Sequence, residues 1–143
     1  MPTPRELLDY VIDALNSKDE ERYIKFVGPE FELRAPGGVT VRGKEGFRNW
    51  HQTWTEACPD CTVQCHNAVS DPTQVIWEGT FTGTHTGVLH LPSGDVPPTG
   101  KHVTVDYAGA MRVAGREIAY WRDYFDSMEM MVQLGLVGAE ARA

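Results

Sequence analysis

Helical patterns come first along this chain and long strand patterns follow, an order that few fold classes allow. The helical patterns end near residue 57, and runs rich in β-branched and aromatic residues come after them, at 62–69, 74–84, 101–113 and 117–125. A parallel α/β sheet needs helices and strands that alternate, whereas helices followed by consecutive strands are typical of an α+β domain. The sequence therefore predicts an α+β fold with a long antiparallel sheet.

Capping residues and apolar spacing predict where the helices lie. Thr3, Pro4 and Glu6 combine a capping box with Pro at the first helical position, and apolar residues then repeat at helical spacing from Leu7 to Leu15. A second capping box, Ser17 to Glu20, predicts a short helix through about residue 26. A third helix is predicted over 43–57, with one apolar stripe made of Phe47, Trp50 and Trp54.

Turn residues and glycines shape the rest of the chain. Residues 31–34 and 39–42 form a predicted hairpin, 91–100 is predicted to be a loop, and 127–134 a final helix with Asp126 as its N-cap and Gly135 at its end. Long strands that contain internal glycines can bend strongly; here these are Gly79, Gly83 and Gly109. A bent sheet wrapped around the helices would enclose a cavity.

Length and charge limit the organisation and the partners. A chain of 143 residues predicts a single domain over 1–143. The net charge is −7, and the basic residues form no stripe, so nucleic acid is not an expected partner. The sequence begins with no secretory-signal pattern and contains no run of about 18 apolar residues, so we expect no membrane partner and a cytoplasmic location.

The cysteines raise the question of a metal. Cys58, Cys61 and Cys65 lie within eight residues and His66 follows them. Three residues separate Cys61 from Cys65, whereas haem attachment needs two, and structural zinc would need a second ligand pair. We therefore expect no metal and no cofactor, and interpret the cysteines as free thiols.

Asp123 is the strongest catalytic candidate. Strand alternation places it on one face with Trp121 and Phe125. A carboxylate held against two aromatic rings loses hydration, which raises its pKa and suits it to take and return a proton. The alternatives are an ion pair with Arg112 or Arg122, or a solvated surface carboxylate.

Other polar residues are weaker candidates. Asp126 is explained as a helix cap, and Asp106 should point outward because the opposite face of its strand is almost wholly apolar. His85 lies between glycines at a predicted bend, where its imidazole could bond a ligand carbonyl or stabilise the turn, so we count it as a second catalytic candidate. His51, beside Trp50, could face the cavity or solvent, and solvent is the commoner location.

Large apolar side chains on the inward faces are the predicted substrate-binding residues: Trp50, Trp54, Trp77, Tyr107, Met111, Trp121 and Phe125. The sheet also predicts a homodimer. Ile118, Tyr120 and Tyr124 alternate with Trp121 and Phe125, which leaves apolar groups on both faces of one strand.

Several stretches together resemble the SnoaL-like polyketide cyclase family. They are the opening helix pair and the segments Val41–Phe47, Phe81–Gly87, Pro97–Lys101, Arg112–Gly115 and Arg122–Asp126, with Gln133-Leu134-Gly135 at the end. The resemblance covers nearly the whole chain. It implies a cone-shaped, curved antiparallel sheet wrapped around the N-terminal helices, as in relatives of nuclear transport factor and ketosteroid isomerase.

The same resemblance implies a function. Family members are similar to ring-closing enzymes that perform an aldol reaction without metal or cofactor, with an aspartate on the last strand as general acid and base; that position is Asp123 here. The family cyclases also carry a His three residues before an Arg on the neighbouring strand, and here Gly109 precedes Arg112. Because one fold hosts many activities, hydroxylase, isomerase, hydrolase and non-catalytic binding functions stay open.

Overall fold

The structure, a computed structural model, describes residues 2–137. Its helices are α1 (Pro4–Asn16), α2 (Glu20–Ile24), α3 (Gly43–Ala57) and α4 (Ser127–Gln133). Its strands are β1 (Val27–Ala35), β2 (Val39–Arg42), β3 (Thr62–Ser70), β4 (Gln74–Thr84), β5 (Leu89–Leu91), β6 (Gly94–Val96), β7 (His102–Ala114) and β8 (Glu117–Phe125). The α+β class is thus confirmed. The order differs from the predicted one, because β1 is a nine-residue strand rather than a short run over 31–34, and it precedes α3.

The caps explain where the helices begin. At α1 the Thr3 hydroxyl accepts from the Glu6 N–H while the Glu6 carboxylate accepts from the Thr3 N–H, which confirms the first capping box. The second prediction was wrong, because Ser17 ends α1 by donating to the Asp13 carbonyl and Asp19 caps α2. Asp126 caps α4 through the N–H groups of Met128 and Glu129, as predicted.

The main sheet has the strand order β2-β1-β8-β7-β4-β3 and is antiparallel except where β1 and β8 run parallel. Bulges bend it: His66 of β3 has no partner in the β4 register, which steps from Cys65–Gly79 to Asn67–Glu78. A side chain at Gly79 would collide with the Gln64 carbonyl, so the bend needs glycine there. The curved sheet wraps the helices α1 and α3, as the predicted cone requires.

A second bulge changes which residues of β8 face inward. The β7 register steps from Arg112–Tyr120 to Val113–Ile118 and leaves Ala119 unpaired. Ile118 is therefore buried on the same side as Trp121, whereas strict alternation had placed it outside. Tyr124 stays exposed on the outer face, so the apolar surface behind the dimer prediction is smaller than expected, and the dimer itself stays a prediction.

The segment predicted as a loop over 91–100 contains regular structure at its start. Leu89 pairs with Val96 and Leu91 with Gly94, so β5 and β6 form a small separate hairpin. Leu89 is buried and anchors this hairpin against a cluster that includes Cys58, Val103 and Leu134. The hairpin therefore lies beside α3 and α4 and helps to shape the open end of the cone.

The main core lies between α1, α3 and the concave face of the sheet. It contains Leu8 and Val11 of α1, Phe47 of α3, and Trp77 and Trp121 of the sheet. Within residues 2–137, the helices are all too short or too polar to cross a membrane.

Candidate functional site

A cavity of about 90 Å³ lies between α1, α3 and the concave face of the sheet. Most of the side chains around it are apolar or aromatic. Among the predicted substrate-binding residues, it is lined by Trp50, Trp54, Tyr107, Trp121 and Phe125. An apolar lining with a few polar groups is the usual composition of a site for a hydrophobic ligand.

Asp123 lies on the wall of this cavity and is held by two indole groups. The Trp121 Nε1–H donates to its Oδ1 at 3.0 Å, and the Trp50 Nε1–H donates to its Oδ2 at 3.1 Å. One donor comes from β8 and the other from α3, 73 residues away along the chain. Both carboxylate oxygens are therefore fixed, and the plane of the group is set by two different elements.

The surroundings of Asp123 shift its proton affinity. Burial raises the pKa of Asp123 from 3.8 to about 6, although the hydrogen bonds from Trp121 and Trp50 act in the opposite direction. Burial dominates because the chamber is apolar and a carboxylate loses hydration there. A carboxylate with a pKa near 6 is ionised at neutral pH and still holds a proton strongly enough to return it.

The alternative environments for Asp123 are not the ones observed. The Arg112 guanidinium lies 4.0 Å from the ring centre of Tyr120, and that of Arg122 lies 4.7 Å from the ring centre of Tyr124. Both arginines thus cover tyrosines by cation–π contact. Asp106 is exposed and accepts from the Thr80 hydroxyl, as expected for an outward residue.

His51 lines the same cavity, which settles the choice left open by the sequence. Its ring centre lies 4.4 Å from Phe47 and 6.0 Å from Trp121, and its Nε2 is buried without a hydrogen-bond partner. Burial lowers the pKa of His51 to about 3, so the imidazole is neutral at physiological pH. The helical spacing from Phe47 to His51 is four residues, and this signal places both on one face.

Trp77 and Met111, two of the predicted binding residues, do not line the cavity. Both are fully buried in the core behind it. The Trp77 indole lies over Gly109, where a Cβ would come within 2.7 Å of three of its ring carbons. Trp77 therefore fills the space that a side chain at position 109 would need.

Trp77 also fixes a polar group of the cavity. Its Nε1–H donates to the Tyr107 hydroxyl at 3.0 Å. Burial raises the pKa of Tyr107 well above its usual value, so the phenol keeps its proton and can donate it in a hydrogen bond. In the register between β7 and β8, Tyr107 pairs with Phe125, and Gly109 pairs with Asp123. Residues two positions apart on a strand share a face, so Tyr107 lies on the same face of the sheet as Asp123.

His85 lies outside this cavity, and we drop it as a catalytic candidate. It is buried, and its Nδ1 accepts from the Thr99 N–H at 3.3 Å and lies 3.0 Å from the Thr99 hydroxyl. Its backbone bonds to Gly100 and Lys101 on the same segment. The structure therefore supports the turn-stabilising alternative, with His85 anchoring the segment before β7.

The cysteines are free thiols in the described part of the chain. Cys58 and Cys61 are buried against Gly83, and burial raises the pKa of the Cys58 thiol to about 11. No group of three or more His, Cys, Asp or Glu side chains within residues 2–137 is arranged to hold a metal ion.

Asp123 and His51, both half-buried on the cavity wall, should make stability depend on pH in opposite directions. The shift of the Asp123 pKa from 3.8 to about 6 corresponds to roughly 3 kcal/mol of folding stability, present below about pH 4 and lost as the pH rises through 6. His51, with its pKa lowered from 6.5 to about 3, contributes stability above pH 6.5 that is lost as the pH falls. Between about pH 4 and 6 the two effects offset each other.

In Asp123→Asn only the His51 effect remains, so we expect this variant to gain stability as the pH rises from 4.5 to 6.5. In His51→Asn only the Asp123 effect remains, so we expect that variant to lose stability over the same range. Urea denaturation at both pH values measures the free energy of unfolding, and each variant is compared with itself, so the cost of the substitution cancels. The same pH slope in both variants and the unaltered protein would show that neither group is perturbed as described.

Several lining residues were missed by the sequence interpretation. Ile12 and Leu15 of α1 and Met130 of α4 all face the cavity. The spacing of Ile12 and Leu15 puts them on one apolar stripe, but a stripe that borders a void has the same pattern as one that packs against the sheet.

The comparisons agree with this fold. The model of the SnoaL-like polyketide cyclase family matches residues 5–134. The chain is similar to the structure of IdmH, a candidate polyketide cyclase of Streptomyces antibioticus, with 25% identity and a TM-score of 0.76 over 92% of this chain and 98% of that one.

It also resembles AclR, a candidate hydroxylase of Streptomyces galilaeus, with 20% identity and a TM-score of 0.78 over 94% of this chain and 86% of that one. A third structure of like fold is a candidate SnoaL-like cyclase of Jannaschia sp. CCS1, with 17% identity and a TM-score of 0.76 over 96% and 97% of the two chains. No curated protein matches the sequence. With the family model spanning nearly the whole chain, this protein belongs to the SnoaL-like polyketide cyclase family.

Proposed function

We propose that the protein is a cofactor-independent enzyme of the cyclase type, in which Asp123 is the general acid and base for a small hydrophobic, polyketide-like substrate. The observation that supports this most is the carboxylate on the wall of an apolar cavity, with each oxygen held by an indole N–H. Such a group has the position, the orientation and the proton affinity that carbon-acid chemistry needs.

The proposed reaction is an aldol-type ring closure. The Asp123 carboxylate takes a proton from a carbon between two carbonyl groups, and the electron pair of that C–H bond becomes an enolate. The enolate carbon then attacks a second carbonyl carbon of the same molecule and forms a C–C bond, while that carbonyl oxygen becomes an alkoxide. The alkoxide recovers the proton from Asp123, so the product is an isomer of the substrate and no co-reactant is consumed.

Two neutral groups of the cavity support the charge that develops. The Tyr107 phenol keeps its proton and can donate it to an enolate or alkoxide oxygen, since its oxygen already accepts from Trp77. The imidazole of His51 is neutral and can donate one N–H. Because both donors are neutral, neither forms an ion pair with the Asp123 carboxylate, which would lower its proton affinity.

The proton-transfer step can be tested before the substrate is known. Benzoylacetone is a one-ring β-diketone, and exchange of its acidic C–H in D₂O is followed by NMR with the uncatalysed rate subtracted. The exchange rate should rise with pH and level off above about 6, because only ionised Asp123 accepts a proton. A rate no greater than the uncatalysed one, or one that falls across this range, would contradict the proposal.

One observation favours a second candidate function, a binding protein without turnover. The position of the family histidine is occupied here by the Trp77 ring over Gly109, which removes a polar group from the neighbouring strand. Under this alternative, benzoylacetone would quench the fluorescence of Trp50 and Trp121 on binding, and its proton exchange would stay at the uncatalysed rate.

A further inference from the structure

The cavity comes to the protein surface beside the end of α1. Asn16 and Thr62 both line the cavity, and both are exposed to solvent. Asn16 is the last residue of α1, and Thr62 is the first residue of the edge strand β3. Residues 15–18 on one side and 61–63 on the other form what we call the seam.

Hydrogen bonds hold the two sides of the seam together. The Asn16 amide donates to the Val63 carbonyl at 2.9 Å, and the Asn16 Oδ1 accepts from the Val63 N–H at 2.8 Å. The Lys18 ammonium donates to the Cys61 carbonyl. Water can replace a protein partner at an exposed position, so the net free energy that each of these bonds contributes is small. The seam can therefore separate more easily than contacts between buried side chains.

The wall of the cavity towards α4 is closed more firmly. Trp50 and Met130 are buried there. Trp54 packs edge-on against Trp50 and Phe125, with ring centres 5.5 and 6.0 Å apart. A molecule that entered through this wall would displace these rings, and Trp50 holds Asp123 by its indole N–H. Entry at the seam leaves both indole donors of Asp123 in place.

The backbone at Lys18 is suited to act as a hinge. Lys18 has a φ of 57°, in the left-handed region that residues other than glycine seldom adopt. It lies between the end of α1 at Asn16 and the start of α2 at Glu20, and its N–H donates to the Leu15 carbonyl. When the bond from Lys18 to Cys61 is lost, this strained backbone can relax, which favours the open state.

We infer that the seam is a gate, and that small neutral molecules reach the cavity when it opens. The rim fits this class of molecule, because Asn16, Thr55 and Thr62 present uncharged polar groups to an otherwise mostly apolar space. Asn16 and Lys18 hold the gate closed and take no part in the reaction. The inference rests on the proposed function for the role of Asp123, but it concerns access, and its test measures access without turnover.

The thiol of Cys61 reports opening of the gate. Cys61 lines the cavity beside the seam and is 7% exposed, and burial raises the pKa of its thiol, so it reacts slowly while the gate is closed. The probe is iodoacetamide, a small neutral molecule: the Cys61 thiolate displaces iodide and forms a thioether. Peptide mass spectrometry at pH 8.5 gives the rate. Cys58 is the internal reference, since it is buried and lines no part of the cavity.

The variants weaken the seam from one side. Asn16→Ala removes both side-chain bonds to Val63. Lys18→Gly removes the bond to Cys61 and keeps a residue that tolerates a positive φ. Asn67→Ala is the matched control, because Asn67 is an exposed asparagine of the same strand, bonds to Glu78 and does not line the cavity.

We expect Asn16→Ala to raise the Cys61 rate about fivefold or more, because the rate follows the population of the open state. Lys18→Gly should raise it as well, although the loss of the ammonium raises the pKa of Cys61 further and by itself would slow the reaction. The Cys58 rate should change less than twofold in both variants, and Asn67→Ala should change neither rate.

An unchanged Cys61 rate in Asn16→Ala would overturn the inference. An equal rise for Cys58 and Cys61 would also overturn it, since that would show a general loss of stability. The result is independent of catalysis: if benzoylacetone exchange fails while the selective rise at Cys61 appears, the gate is established and the proton-transfer proposal is wrong.

Discussion

Replacing Asp123 with Asn should lower turnover by roughly 100-fold or more, because Asn keeps the shape of the side chain and removes the base. The measurement is the benzoylacetone exchange rate at pH 7.5, where wild-type Asp123 is ionised. An equal loss in kcat and in kcat/KM would show that the interaction is made in the transition state.

The two indole donors make Asp123→Asn destabilising, an effect that the sequence did not reveal. A carboxyl group accepts from both Trp50 and Trp121, whether ionised or protonated, but an amide has one acceptor oxygen and an NH₂ group that can only donate. One indole N–H of Asp123→Asn therefore loses its partner, which costs about 1–3 kcal/mol of stability at low pH. Activity must be compared at a temperature at which the variant is folded, checked by circular dichroism.

Asp126→Asn is the matched control for this experiment. Asp126 carries the same carboxyl group three residues further along, is exposed, and caps α4. Asn caps a helix about as well as Asp, so stability and exchange should both stay near wild type. If Asp126→Asn removed the activity and Asp123→Asn kept it, the assignment of the base would be wrong.

Gly109→Ala should destabilise the protein by about 3 kcal/mol or more, a large effect for one methyl group. The added Cβ would come within 2.7 Å of three carbons of the Trp77 indole, and Trp77 is fully buried against Trp121 and cannot move aside freely. Gly109→His, which restores the family residue, should be worse and should prevent folding. Urea denaturation measures the free energy of unfolding of Gly109→Ala. Soluble yield and circular dichroism show whether Gly109→His folds.

A smaller ring at position 77 tests whether the Trp77 indole causes the destabilisation by Gly109→Ala. Trp77→Phe removes the outer part of the indole, so in that background the penalty of Gly109→Ala should fall by half or more. Gly28→Ala is the control, since the Cβ there meets the flexible Glu117 side chain at 3.0 Å or more and should cost less than about 1 kcal/mol. A full Gly109→Ala penalty in the Trp77→Phe background would exclude the indole as its cause.

The surroundings of position 109 differ from what the family resemblance implies. The resemblance implies a histidine at position 109, whereas this chain has glycine there, and the Trp77 ring lies over that glycine beside Asp123. In its place, the protein positions Asp123 by indole hydrogen bonds from β8 and α3. The Trp77 indole of β4 also orients the Tyr107 hydroxyl by donating to it.

Local signals in the sequence were enough for the helices, the long strands, the Asp126 cap and the inward face that carries Trp121, Asp123 and Phe125. Capping and side-chain alternation depend on residues a few positions apart, so they can be recognised along the chain. The same signals were misleading at Ser17, where two adjacent helix ends compete and the residue closes α1 by bonding to Asp13. They also could not show the bulge at Ala119, which turns Ile118 inward because β7 sets the register.

Tertiary structure alone decided which buried residues border empty space. Trp77 and Trp121 have the same inward pattern, yet only Trp121 reaches the cavity, because the Trp77 ring lies over Gly109, 32 residues away. The sequence left two locations open for each of His51 and His85, and the fold places the first on the cavity wall and the second beside Thr99. The proton affinity of Asp123 likewise depends on α3, whose Trp50 is 73 residues distant. Packing between elements far apart in sequence creates a cavity and removes water from its walls, and no pattern of neighbouring residues contains that information.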